Sequence, residues 1–144
     1  LACAAGTAQF DYMCQESFRT MLDEKSRLFE SLARDIAGRC KWKTRLSLSG
    51  VGFSYGLQVF DRKTGLSDRF TAFKIVFRCY ELGLLIITVA GNTIRLQPPF
   101  SISEENLKKG FELLGRAMDD IDQGYTSKDM LYFYRKRYPG TDKA

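Results

Sequence analysis

The sequence predicts an α+β fold: a small, mostly antiparallel sheet with helices packed on one side, preceded by a long helix. Three observations predict it. Apolar residues recur at three-four spacing through residues 1–37, 67–82 and 103–121, the mark of amphipathic helices. Between the first two segments, Phe53, Tyr55, Leu57 and Val59 alternate with smaller or polar residues, the period of a half-buried strand. Between the last two, Glu81 to Phe100 joins an apolar run, a Gly91-Asn92 turn and a short return segment closed by Pro98-Pro99. That stretch reads as a buried β-hairpin, because proline cannot donate to a ladder.

The first helix carries Phe10, Met13, Cys14, Phe18, Met21, Leu22, Leu28, Phe29, Leu32 and Ile36 on one stripe. Its opening, Leu1-Ala2-Cys3-Ala4-Ala5-Gly6, is small on all sides and suits close approach of another backbone, so burial is expected there. Gly38 is a helix stop. A basic connector from Cys40 to Arg45 holds Trp42, the only tryptophan, and leads into a strand at Leu46 and Leu48. Gly50 and Gly52 form a turn with a bulge before the second strand, and Gly56 leaves room for a close neighbour. The second helix spans 67–82 with Ser67 as N-cap and Asp68 in its first turn. Leu84 to Val89 is short and β-branched, so a strand buried on both faces is expected. The third helix starts at Ser103, with Glu104 and Glu105 facing the helix dipole, and stops at Gly124. A short helix follows, capped by Ser127 and ended by Pro139-Gly140.

At 144 residues and 44% apolar content the chain can build one core. No apolar run approaches the roughly 20 residues of a membrane span. The start, Leu-Ala-Cys-Ala-Ala, lacks both a methionine and the basic leader of a signal peptide, so the chain is expected to be a piece of a longer protein. Histidine is absent, which removes Ser-His and Cys-His nucleophile pairs and the commonest metal ligand. Any enzyme chemistry must then be carried by a cofactor or sited elsewhere. Cys3, Cys14, Cys40 and Cys79 make no Cys-x-x-Cys pair, so no metal site is assigned. Cys3 and Cys14 are expected to pack as small apolar residues, in a reducing compartment. Residues 125–144 hold five cations against two acids, +3 of the chain's net +5, so the basic balance is largely a property of the tail.

Arg95 is the one chemical candidate. It alternates with Ile94 and Leu96, so it faces away from the core. The pattern fits an exposed strand arginine, and it also fits a carboxylate clamp, since a guanidinium matches a carboxylate bidentately. Gly50-Val-Gly52-Phe-Ser-Tyr-Gly56 matches no phosphate loop, because a strand follows it. Tyr132-Phe-Tyr-Arg-Lys-Arg-Tyr138 interleaves aromatic and basic residues, but an amphipathic helix with a cationic last turn explains it, and nucleic acid is not favoured. Asp119, Asp120 and Asp122 lack EF-hand spacing and read as a solvated helix end.

The chain also resembles class III pyridoxal-phosphate aminotransferases, the family of 4-aminobutyrate, ornithine and other ω-amino-acid transaminases. Leu1-Ala-Cys-Ala-Ala5 is similar to a family segment that reads Asn-Pro-Leu-Ala-Cys-Ala-Ala. Gly50-x-Gly52-x-x-x-Gly56-Leu57 resembles its glycine-rich strand. Cys79-x-x-x-Gly83-Leu-Leu85 resembles a helix end, and Asn92-Thr-Ile-Arg-Leu-Gln-Pro-Pro-Phe-Ser-Ile-Ser-Glu-Glu105 its most specific motif. The matches keep family order over roughly residues 1–121. The resemblance implies the C-terminal small domain of a fold-type I enzyme. Residues 1–38 would link to a large domain outside the chain, 39–124 would form the small domain, and 125–144 a basic extension.

It further implies a pyridoxal 5'-phosphate cofactor, held by residues upstream of this chain that include the Schiff-base lysine. Arg95 then falls on the arginine that binds the substrate carboxylate. No catalytic, cofactor-binding or metal residue is assigned here, and the chain alone should be inactive. The implied reaction is a two-half-reaction transfer of an amino group between an amino acid or amine and a 2-oxo acid. A homodimeric parent in the cytoplasm or mitochondrial matrix is expected, with no membrane partner. Gln58 departs from the acid common in the family, and residues 122–144 extend past its usual end. The competing reading is a non-catalytic binding module using the basic tail.

Overall fold

The computed structural model describes residues 1–39 and 42–140. Cys40 in the connector and the tail charges Asp142 and Lys143 lie outside the described residues. Five helices and four strands follow in the order α1 (Ala2–Met13), α2 (Glu16–Gly38), β1 (Thr44–Val51), β2 (Ser54–Asp61), α3 (Arg69–Glu81), β3 (Ile87–Val89), β4 (Thr93–Leu96), α4 (Glu104–Asp122) and α5 (Lys128–Arg137). The strands form one antiparallel sheet in the order β1-β2-β4-β3.

The sheet has one dry face. Tyr55, Leu57, Val59, Ile94 and Leu96 are buried there beneath α2, α3 and α4, with Phe29, Ile36, Ile75, Phe111 and Leu114. Phe29 is the hub. Its ring stacks on Phe53 at 5.2 Å and meets Tyr55 and Phe111 edge-on at 5.5 and 5.6 Å, the offset and T-shaped geometries that aromatic quadrupoles favour.

Several expectations are corrected. The long first helix is two helices. Gln15 is extended (φ −72°, ψ 140°) and its carbonyl accepts from Phe18 and Arg19 to start α2. The break lets Tyr12 meet Phe18 at 5.1 Å, a contact a straight helix could not make at a six-residue spacing. Helix α1 buries none of its residues against the described chain, and within that chain Cys3 and Cys14 are exposed. Asp68, not Ser67, caps α3, accepting from Thr71 N–H at 2.8 Å; Ser67 bridges to Phe60 instead. The β1–β2 register runs unbroken, so the glycines make a two-residue turn, Gly52-Phe53, without a bulge. Gly50 is required at φ 148°, since a Cβ there would fall on the Ser54 carbonyl. The apolar run before the hairpin is not doubly buried. Only Ile87–Val89 is strand, at the sheet edge, and Leu85 and Ile87 are 82% and 56% exposed.

The three acids at the end of α4 are not simply solvated. Asp119 accepts from Trp42 Nε1 at 2.7 Å, Asp120 from Arg78 Nε at 2.7 Å, and Asp122 from the Lys43 N–H at 2.6 Å. Tertiary bonds outweigh the unfavourable dipole position. Helix α5, the short helix expected after Ser127, packs onto the core. Met130 and Tyr134 are buried, and Tyr134 sits against Phe70 and Phe73 at 4.6 and 5.2 Å.

Burial pushes the Cys79 thiol up to about 12. A thiolate is the reactive form, so Cys79 is expected to resist iodoacetamide at pH 8 in the native complete protein and to label only after denaturation. Mass-spectrometric peptide mapping reads this directly.

Candidate functional site

Arg95 is placed by period two and by its neighbours. Ile94 and Leu96 are 0% and 6% exposed, so β4 must turn Arg95 to the open face. There it lies across from Gly56 on β2 and Ile87 on β3. The close neighbour of Gly56 is not Arg95: a Cβ there would come to 3.0 Å from Thr93 Cγ2, a tight contact. The row Ser49, Gly56, Arg95, Ile87 crosses the whole sheet. No hydrogen bond or ion pair among the described residues engages the Arg95 guanidinium.

The arginine lines a groove of about 530 Å³ at the β3 edge. Its apolar lining includes Leu84 to Ile87, Leu96, Pro98, Pro99, Ile102, Leu107, Gly110 and Phe111. Its polar groups are Arg95 and the amides of Gln97 and Asn106. Sequence reasoning missed those amides, and no pattern signalled them. A guanidinium with no competing acid beside an apolar wall is suited to a carboxylate whose attached group is apolar.

The same lining does not suit pyridoxal phosphate. It holds no lysine for the aldehyde and no acid for the ring nitrogen. Lys74, whose ammonium burial pushes below the usual lysine range, lies over Phe70 and outside this lining. No cofactor step is therefore assigned to these residues.

Beyond Leu96 the chain leaves the ladder. Gln97, Pro98 and Pro99 also line a second depression, with Leu22, Ser26, Phe53 and Phe100. A turn follows, closed by Ile102 N–H on the Pro99 carbonyl at 3.1 Å. Lys25 of α2 donates to the carbonyls of Phe100 and Ile102 at 3.1 and 2.9 Å. The Phe100 ring meets Phe18 at 5.9 Å and Phe53 at 5.6 Å. A signal for Lys25 was present: it falls between Leu22 and Leu28-Phe29, inside the apolar stripe of α2.

The aromatic-basic segment of α5 is divided by the helix. Tyr132 and Phe133 are exposed, Tyr134 is buried, and Arg137 lies over the Tyr138 ring at 5.7 Å. Among the described residues no cluster of acids, cysteines or histidines could hold a metal, and no helix is long and apolar enough to cross a membrane.

No family model matches the chain. Over 106 residues it is 39% identical to a leucine/methionine racemase of Thermococcus litoralis, covering 72% of this chain and 24% of that protein. It is 29% identical over 121 residues to an acetylornithine aminotransferase of Caldanaerobacter subterraneus, covering 84% of this chain and 28% of that protein. The solved structure of an ω-aminotransferase from Paracoccus denitrificans superposes with a TM-score of 0.72 over 86% of this chain and 28% of that one, at 25% identity. The chain belongs with the class III pyridoxal-phosphate aminotransferases, as a C-terminal part. Its α+β sheet and helices are the fold found in that part of fold-type I enzymes. As a class III aminotransferase segment, the chain spans about a quarter of the length of the curated relatives it matches.

Proposed function

We propose that the complete protein carrying this chain is a pyridoxal-phosphate enzyme acting on amino acids, and that Arg95 receives the substrate carboxylate. The observation that carries this reading is the guanidinium without an acid partner among the described residues, on the open sheet face beside an apolar groove. The favoured reaction is amino transfer between an amino acid or amine and a 2-oxo acid. The cofactor, bound by the rest of the protein, supplies an electron sink at the substrate's α-carbon. Within this chain Arg95 orients the substrate, which reduces the entropy lost in reaching the reactive geometry. Residues 1–38 link to the large domain, 39–124 form the small domain, and 125–144 extend it. The exposed helix α1 supports the link, because its apolar residues find no cover within the described chain. The parent acts as a homodimer, and the chain alone is inactive.

Racemisation is the second reading, favoured by the 39% identity to the Thermococcus racemase. Both reactions need a carboxylate anchor. They separate in one assay of the complete, cofactor-loaded protein with an L-amino acid. Amino transfer requires an added 2-oxo acid and yields a new amino acid. Racemisation yields the D-enantiomer without any acceptor. Neither product from a panel of amino acids and amines would overturn the proposal. A free-standing module using a basic tail is not favoured, since α5 is packed on α3 through Met130 and Tyr134.

A further inference from the structure

We infer that Lys25 is a positioning residue for the carboxylate site, acting through the Pro98-Pro99 ridge and not by touching substrate. The inference rests on the proposed role of Arg95 and deepens it.

The ridge is poorly supported along its length. Gln97, Pro98 and Pro99 line both the Arg95 groove and the second depression. Two of these residues are prolines, which donate no backbone hydrogen bond. Its position is therefore set at its ends. One end is the ladder pair Tyr55–Leu96. The other is the turn at Pro99–Ile102, where two carbonyls converge on one ammonium, that of Lys25. Bonds from an ionised donor are stronger than neutral ones, and these cross 75 and 77 residues of sequence. Packing of Phe100 between Phe18 and Phe53 reinforces the same point. Lys25 thus fixes the far end of the segment that leaves Arg95. A loosened turn would let the ridge shift and change the wall against which the substrate rests.

The test uses the complete protein and four forms: wild type, Lys25→Met, Lys25→Arg and Arg95→Ala. Lys25→Met keeps the stem length and removes the charge. It is expected to raise KM for carboxylate-bearing amino acids roughly tenfold, as small misplacements at a binding wall do. It should leave kcat within twofold and raise KM for a carboxylate-free amine less than for the carboxylate substrates. Lys25→Arg should restore most of the loss. Amide exchange at Ile102 should accelerate in Lys25→Met, while Leu57 and Ile94 stay protected. If Arg95→Ala raises KM and Lys25→Met does not, Lys25 is no positioning residue and the inference is overturned. If Lys25→Met lowers kcat equally for both substrate classes and exposes Leu57 and Ile94, its role is purely structural and the inference again fails. If Arg95→Ala itself has no effect on carboxylate affinity, the underlying reading of Arg95 is what falls.

Discussion

Replacing Arg95 by alanine in the complete protein is expected to weaken binding of α-carboxylate substrates roughly ten- to hundredfold, the worth of a charge-assisted hydrogen-bond pair. Cofactor content, read from its visible absorbance, should stay at wild-type level, because nothing in the groove suits the cofactor. Stability should change little, since the guanidinium makes no ion pair among the described residues. Arg95→Lys should recover only part of the affinity. An ammonium keeps the charge but loses the planar fork. The control is a substrate amine without a carboxylate, whose KM should be the same in all three proteins. An unchanged KM for the carboxylate substrate in Arg95→Ala would remove the arginine from the site.

The largest loss of stability is expected from Phe29→Ala, about 3–5 kcal/mol for a buried phenylalanine truncated to a methyl group. Phe29 is 2% exposed and touches three other rings from three different elements. Its removal leaves a cavity where α2, the β1–β2 turn and α4 meet, and these elements cannot all close in at once. Phe29 also lines the Arg95 groove. The variant should therefore lower the thermal midpoint and speed exchange at Leu57 and Ile94 together. Phe29→Leu, which keeps most of the volume, should cost much less. A midpoint within a degree of wild type for Phe29→Ala would show that the hub is not where the core is tied.

Much of this was readable from the residues. Period-two alternation placed Tyr55, Leu57 and Val59 correctly on the dry face, and the same logic turned Arg95 outward. The Ser103 and Ser127 caps were legible because capping is local. The break at Gln15 was not, since neither glycine nor proline marks it and the contact it permits, Tyr12 with Phe18, forms only once the chain has turned. The edge position of β3 was hidden because an apolar run looks the same whether a neighbouring strand covers it or not. Asp119, Asp120 and Asp122 looked solvated because their donors, Trp42, Arg78 and Lys43, lie 42 to 79 residues away. The groove's amides escaped for the same reason. What was missed is the set of interactions that only folding brings together.

The register of β4 has a consequence for what counts as part of the site. A slip of one residue against β2 and β3 would drive the guanidinium into the core and lift Ile94 into water. What forbids the slip is the burial of Ile94 and Leu96, two aliphatic side chains on the dry face of the sheet. The direction of the arginine is thus a matter of parity, enforced from the opposite face of the sheet. Under the proposed role of Arg95, Ile94 and Leu96 matter to the site as much as the arginine does, although Ile94 lies outside the groove's lining.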